Sequence, residues 1–171
     1  MAANAVIGLL FEAWNDFDRV LSGLTDEELV RPAEGGSSFA WTLAHVTDDM
    51  DRWLNVRFQH LAPHPLIGQE QFHRGGSGRA DDWSAIQAGV GEVRDQVRRY
   101  LQDRNDEALD LTIPYDGSLA PVRAHGLPLR YAILRNVAHH YVHIGEIATK
   151  RERLGQQAGD YPGLLVEALS N

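Results

Sequence analysis

Two imidazoles one helical turn apart can share a single divalent ion, and the stretch AHHYVHIGE, residues 138–146, offers that spacing. His139 and His143 stand four residues apart, with His140 between them. Four residues at 100° each return to within about 40° of the same direction, so His139 and His143 share a helix face. His140 points away from His139, towards Ile133, Ile144 and Ile147, and reads as a packing residue. His140 with His143, at i,i+3, is a second geometrically possible pair. Either pair needs a further ligand before it holds a catalytically useful ion. His45, in WTLAHVTDDMDRW, is the best candidate, because it too sits in the middle of a long amphipathic segment.

Chance sets the scale for this signal. With eight histidines in 171 residues, random placement gives about 0.4 pairs at i,i+4. The chain has two. His60 and His64 form the other, but Pro63 and Pro65 break the helix that would align them, so that pair belongs to a loop. Asp49 lies one turn after His45, and Glu146 three residues after His143. With His140, they are candidates to orient ligand imidazoles through the ring nitrogen that does not face an ion. Asp48 and Asp51 in DDMD share a face only with each other and read as solvated. Trp41, one turn before His45, is placed to wall the site, while Trp14, Trp53 and Trp83 read as core or interface. HRGGSGR lacks phosphate-loop spacing and follows no strand, so it reads as a flexible loop.

Periodicity places these residues on long helices. Apolar positions from Val6 to Leu21 predict a first helix over about 3–21, closed by Gly23. Thr25 and Glu28 form a capping box for a short helix ending before Pro32. Ser37 or Ser38 caps a second long helix over about 39–61, with a stripe of Leu43, Val46, Met50, Trp53, Leu54, Phe58 and Leu61. Residues 62–80 read as loop. A third helix runs from Asp81 or Asp82 to about Arg104, weakened in its middle by Gly89 and Gly91 at up to ~1 kcal/mol each. Residues 108–125 predict a small β-hairpin turning at Asp116-Gly117, with Pro114 and Pro121 at its edge. A fourth long helix spans about 128–154, and a short one, 162–169 with Asp160 as cap, finishes the chain. Four long amphipathic helices in one domain, residues 1–171, predict an all-α four-helix bundle. Its two longer connections can cross the bundle, so up-down-up-down order is not required. On the wheel, His45 lies opposite Leu43, Met50 and Leu54, and His139 opposite Val137, Tyr141 and Ala148. Pattern alone turns both towards solvent, so a site requires the two polar stripes to converge in a groove.

Composition narrows the partners. A net charge of −8 with scattered Lys and Arg speaks against nucleic acid. The chain has no cysteine, which excludes disulfides, thiolate metal sites and a cysteine nucleophile. No apolar run approaches the ~18 residues of a membrane span, and the N-terminal stretch lacks a secretory pattern, so a cytoplasmic protein is expected.

Two stretches together resemble the DinB-like superfamily of small metal-binding four-helix bundles, which is unrelated to the translesion polymerase of similar name. LTDEELVRPAEGGSSFAWTLAHVTDDMDRWL is similar to the family's entry into helix two with its first histidine. RNVAHHYVHIGEI is similar to its His-x-x-x-His motif, with Ile144 and Glu146 where Arg and Gln are frequent. The resemblance covers about residues 5–153. It implies His45, His139 and His143 as metal ligands, up-down-down-up topology and a homodimer. It also implies an open three-histidine site for zinc, nickel or iron, which imidazole ligands do not distinguish. Such an ion activates a bound water or thiol, the chemistry of a hydrolase or transferase. Family members include thiol-dependent S-transferases and isomerases. In a chain without cysteine, a low-molecular-weight thiol would have to arrive as cosubstrate. The leading expectation is therefore a metal-dependent S-transferase or related detoxifying enzyme. The alternative is a non-catalytic metal- or ligand-binding dimeric module, and a third reading is a bundle that takes up metal only during purification.

Overall fold

The computed structural model describes residues 5–32 and 36–163. Four long helical segments pack around one core: α1 (Ala5–Leu21), α3 (Phe39–Met50) with its continuation, α5 (Trp83–Leu101) and α7 (Leu129–Arg153). The short α2 (Asp26–Val30) joins the first two and carries the expected capping box between Thr25 and Glu28. Ser38 is the residue that caps α3, its hydroxyl accepting from the Trp41 N–H. The expected C-terminal helix at 162–169 falls largely outside the described residues.

Three expectations are corrected. The second long helix is not regular to its end: after Met50 it widens into a π-helical segment, Asp51–Val56, before a last α-turn, α4 (Arg57–Gln59). It stops at His60, which takes a left-handed conformation, so Leu61 leaves the apolar stripe and is exposed. Buried Asn55 lies within this segment, donating to Asp51 Oδ1 and Gln96 Oε1 and accepting from Gln59, bonds invisible to a hydrophobic pattern. Second, the hairpin turning at Asp116-Gly117 does not form. A two-residue strand β1 (Thr112–Ile113) pairs antiparallel with β2 (Leu127–Pro128), and a helix, α6 (Ala120–His125), lies between them. Pro121 near the start of α6 begins a helix, where a missing N–H costs nothing, instead of guarding a strand edge. Third, Asp48 and Asp51 are buried, not solvated: Asp48 accepts from Arg52 Nε at 2.8 Å, and Asp51 from the His64 N–H at 2.9 Å.

Gly89 and Gly91 do not interrupt α5, and Gly89 has a packing role. A Cβ there would come within 3.0 Å of His64 and Ile67, so its absence lets the 61–82 connection lie on the helix. That connection is anchored by buried Ile67 and Phe72, each worth roughly 1.5–3 kcal/mol of apolar burial. Among the described residues, no helix is long and apolar enough to cross a membrane.

Candidate metal centre

In α3 only His45 and Asp49 escape full burial. The helix packs against α2, α5, α7 and the turn at Glu70–Phe72, so its polar stripe is covered instead of facing water. The covering elements leave a narrow window over those two residues, and α7 brings His139 and His143 to it. The two polar stripes therefore meet. Candidate ligand nitrogens of His45, His139 and His143 all lie within 4.8 Å of one another, a group that could hold a metal ion. The three rings stand nearly perpendicular to one another, with centroids 4.8–5.3 Å apart.

Two of the imidazoles are hydrogen-bonded from behind and the third faces a carboxylate. His45 Nδ1 donates to the Phe72 carbonyl at 2.7 Å, His143 Nδ1 to Glu146 Oε2 at 2.8 Å, and His139 Nδ1 lies 3.2 Å from Asp49 Oδ2. With the His45 and His143 Nδ1 protons committed to oxygen acceptors, the Nε2 of each carries a lone pair. His143 Nε2 lies 3.1 Å from His139 Nε2, a gap that either a proton on His139 or a cation between the rings would bridge. For an ion bound at about 2.1 Å with tetrahedral angles, ligand nitrogens sit about 3.4 Å apart. The His139–His143 gap of 3.1 Å is close to that spacing, and the three candidate ligand nitrogens lie within 4.8 Å of one another. The residues fit a divalent cation.

Electrostatics favours the same arrangement. Burial lowers the pKa of His45, against the opposing pull of the Phe72 carbonyl, and so keeps its imidazole neutral. Burial pushes the Asp49 carboxyl up, but His139, Arg135 and His45 outweigh it and hold it below the usual range. The hydrogen bond from His143, aided by Lys150 and opposed by burial, brings Glu146 down to about 2. Both carboxylates stay ionised and can neutralise part of a cation's charge. Trp41 stacks on His45 with ring planes 6° apart and centroids 5.0 Å apart, and its indole N–H is held by the Gln71 carbonyl at 2.6 Å.

The other histidines stay apart from this cluster. His140 is buried against Phe17, donates through Nδ1 to the Asn136 carbonyl at 2.7 Å, and packs as expected. His60 and His64 do not align: His60 ends a helix and His64 Nδ1 accepts from the Ile67 N–H. The Phe72 carbonyl is the group sequence reasoning missed. A backbone acceptor carries no side-chain signature, and the nearest clue was an apolar Phe72 inside a polar loop. HRGGSGR belongs to that same connection; Gly78 accepts from the Ser38 N–H at 2.8 Å, so the loop is fastened to the start of α3.

Removing either carboxylate tests its positioning role. Asp49→Ala and Glu146→Ala are each expected to weaken binding of added zinc by about 10- to 100-fold, measured by competition with a chromogenic chelator. Unchanged affinity in both variants would show that the carboxylates do not orient the imidazoles.

No curated protein matches the chain significantly. A family model, that of the DinB superfamily, matches residues 9–147 and so takes in the capped entry to α3, the 61–82 connection and both histidine-bearing helices. On that match over most of its length, the chain belongs to the DinB superfamily.

Proposed function

We propose that the protein binds one divalent metal ion through His45, His139 and His143 and uses it in a thiol-dependent transfer reaction, as an S-transferase or related detoxifying enzyme. The observation that carries the metal reading is the convergence of the three imidazoles, whose candidate ligand nitrogens lie within 4.8 Å of one another, with His45 and His143 held from behind by a carbonyl and a carboxylate and Asp49 3.2 Å from His139. When bound, the ion supplies Lewis acidity that favours the thiolate form of an incoming thiol or the hydroxide form of water. The protein's own groups orient the imidazoles, neutralise charge through Asp49 and Glu146, and shield one side with Trp41.

A catalytic site needs an open side, and the cluster has one: His139 and His143 retain 24% and 17% of their side-chain exposure. A cavity of about 260 Å³ is lined by Asp49, the carboxylate 3.2 Å from His139. The partial exposure of the two histidines favours the enzyme over a closed structural site. The test is metal quantitation on untagged protein purified without a metal column, followed by a screen of thiols against electrophilic acceptors. Thiol-dependent turnover that needs the ion supports the proposal. Stoichiometric native metal without turnover would leave the non-catalytic module, and no native metal would overturn the metal reading.

The homodimer is part of the same proposal. Tyr131, Leu134 and Val142 lie exposed along the outward face of α7, with exposed Ala138 and Gly145 between and after them. An apolar helix face of that length is suited to a second copy. Sedimentation equilibrium is expected to give twice the chain mass; a monomer would refute it. We also read the four long helices as up-down-down-up, with the 60–82 and 102–128 connections long enough to cross the bundle.

A further inference from the structure

The cavity that begins at Asp49 is bordered by Trp53, Tyr115 and three arginines, Arg52, Arg57 and Arg135. Beyond Arg57 and Tyr115 it opens into a wider groove of about 810 Å³. Two of the three guanidiniums are already engaged. Arg52 donates to Asp48 at 2.8 Å and also meets His73, while Arg57 donates to exposed Asp116 at 3.1 Å and lies over the Tyr115 ring. Arg135 differs. Its guanidinium lies 5.2 Å from the centroid of the Trp53 ring, and among the described residues no carboxylate or other acceptor lies within bonding distance of it. Its pull on Asp49 is purely through space, and the Asp49 charge is taken by His139.

We infer that Arg135 is a specificity-determining residue that binds the carboxylate of a small organic acid and places it beside the three-histidine cluster. This inference rests on the functional reading above and names the substrate class of that same site. Arg135 precedes His139 by one helical turn, about 6 Å along the axis. A carboxylate held there leaves the remainder of a small molecule over the cluster's open side. Trp53, Tyr115 and Leu119 supply the apolar part of the lining beside it. A guanidinium offers a planar fork that suits a carboxylate bidentately. One unpaired positive charge suits a monoanion better than a phosphate dianion. Arg52 is matched by Asp48 and Arg57 by Asp116, while Asp49 faces His139, so Arg135 is the cavity's cation without a partner of its own among the described residues.

The experiment compares benzoate with its neutral isostere benzamide, titrated against chelator-stripped full-length protein and followed by NMR shifts of the tryptophan indole N–H signals. Stripping the protein removes any carboxylate–metal bond from the measurement. The wild type is expected to bind benzoate about tenfold more tightly than benzamide. Arg135→Gln should abolish that preference, and Arg57→Gln should reduce it by less, because Arg57 already has a partner. An undiminished preference in Arg135→Gln, or none in the wild type, would overturn the assignment. Stronger binding of inorganic phosphate than of benzoate would overturn the carboxylate class. Zinc titration of the same samples reads the metal proposal separately, so failure of one is distinguishable from failure of the other.

Discussion

A His45→Ala variant, purified without a metal column, is expected to carry no more metal than a buffer control, against about one ion per chain in the wild type. His45 is the lone contribution of α3 to the cluster, and without it two imidazoles of one helix remain at i,i+4. Such a pair holds an ion weakly, and any thiol-dependent turnover should vanish with it. The substitution removes a partly exposed ring and one hydrogen bond to the Phe72 carbonyl, so the helical fold should persist. Circular dichroism checks that. His140→Gln is the matched control, since it removes a neighbouring histidine whose ring points into the core, and it should keep its metal. Full metal retention in His45→Ala would disprove the ligand assignment. The same ligands must be unprotonated to bind, so metal affinity should fall as the solution is acidified.

His140 itself sets up the second large effect, on acid stability. Burial drives its pKa down to about 3, opposed by its hydrogen bond to Asn136, and Arg94 lowers it further. The folded chain therefore keeps His140 neutral where an unfolded chain, with an ordinary value near 6.5, takes up a proton. A proton bound in the unfolded state alone destabilises the fold. The contribution of neutral His140 is intact above pH 6.5 and is lost progressively as pH falls towards 3. Between pH 7 and pH 4.5 that loss is about 2–3 kcal/mol, a sizeable share of a typical total of 5–15 kcal/mol. His140→Leu should remove it. The Asn136 carbonyl belongs to the helix ladder, so no acceptor is orphaned by the change. Urea unfolding of chelator-stripped protein is expected to show wild type and His140→Leu within about 1 kcal/mol at pH 7. At pH 4.5 the variant should be the more stable by about 2 kcal/mol. Equal pH slopes in the two proteins would refute the buried neutral imidazole.

Both effects turn on a distinction between neighbouring histidines that was partly readable without coordinates. The 100° step separates His139 from His140 on any helix, and the apolar neighbours Ile133, Ile144 and Ile147 mark the side that packs. The same periodicity placed α1, α5 and α7, and the start of α3, within a few residues of their observed bounds. It failed where local propensity was overridden. From Asp51 onwards the π-helical segment shifts the wheel, and the short strands pair across α6 instead of around Asp116-Gly117. Neither feature has a period to detect.

What the sequence determined by itself was the inventory of chemistry and its helical address. Imidazoles at 139 and 143 share a face, Pro63 and Pro65 remove the competing pair, and the absence of cysteine leaves nitrogen and oxygen donors. Convergence was decided by the tertiary structure. On a wheel, His45 and His139 face outward, because a wheel knows one core and assigns every other direction to solvent. α3 has neighbours on all sides, with α7 and the Phe72 turn covering the stripe that looked exposed. The partners that orient the rings come from a backbone carbonyl 27 residues away, a carboxylate of α3 and a carboxylate of α7. Arg135 gained its significance the same way: its charge was always in the sequence, but only packing showed that its neighbours' charges were already paired.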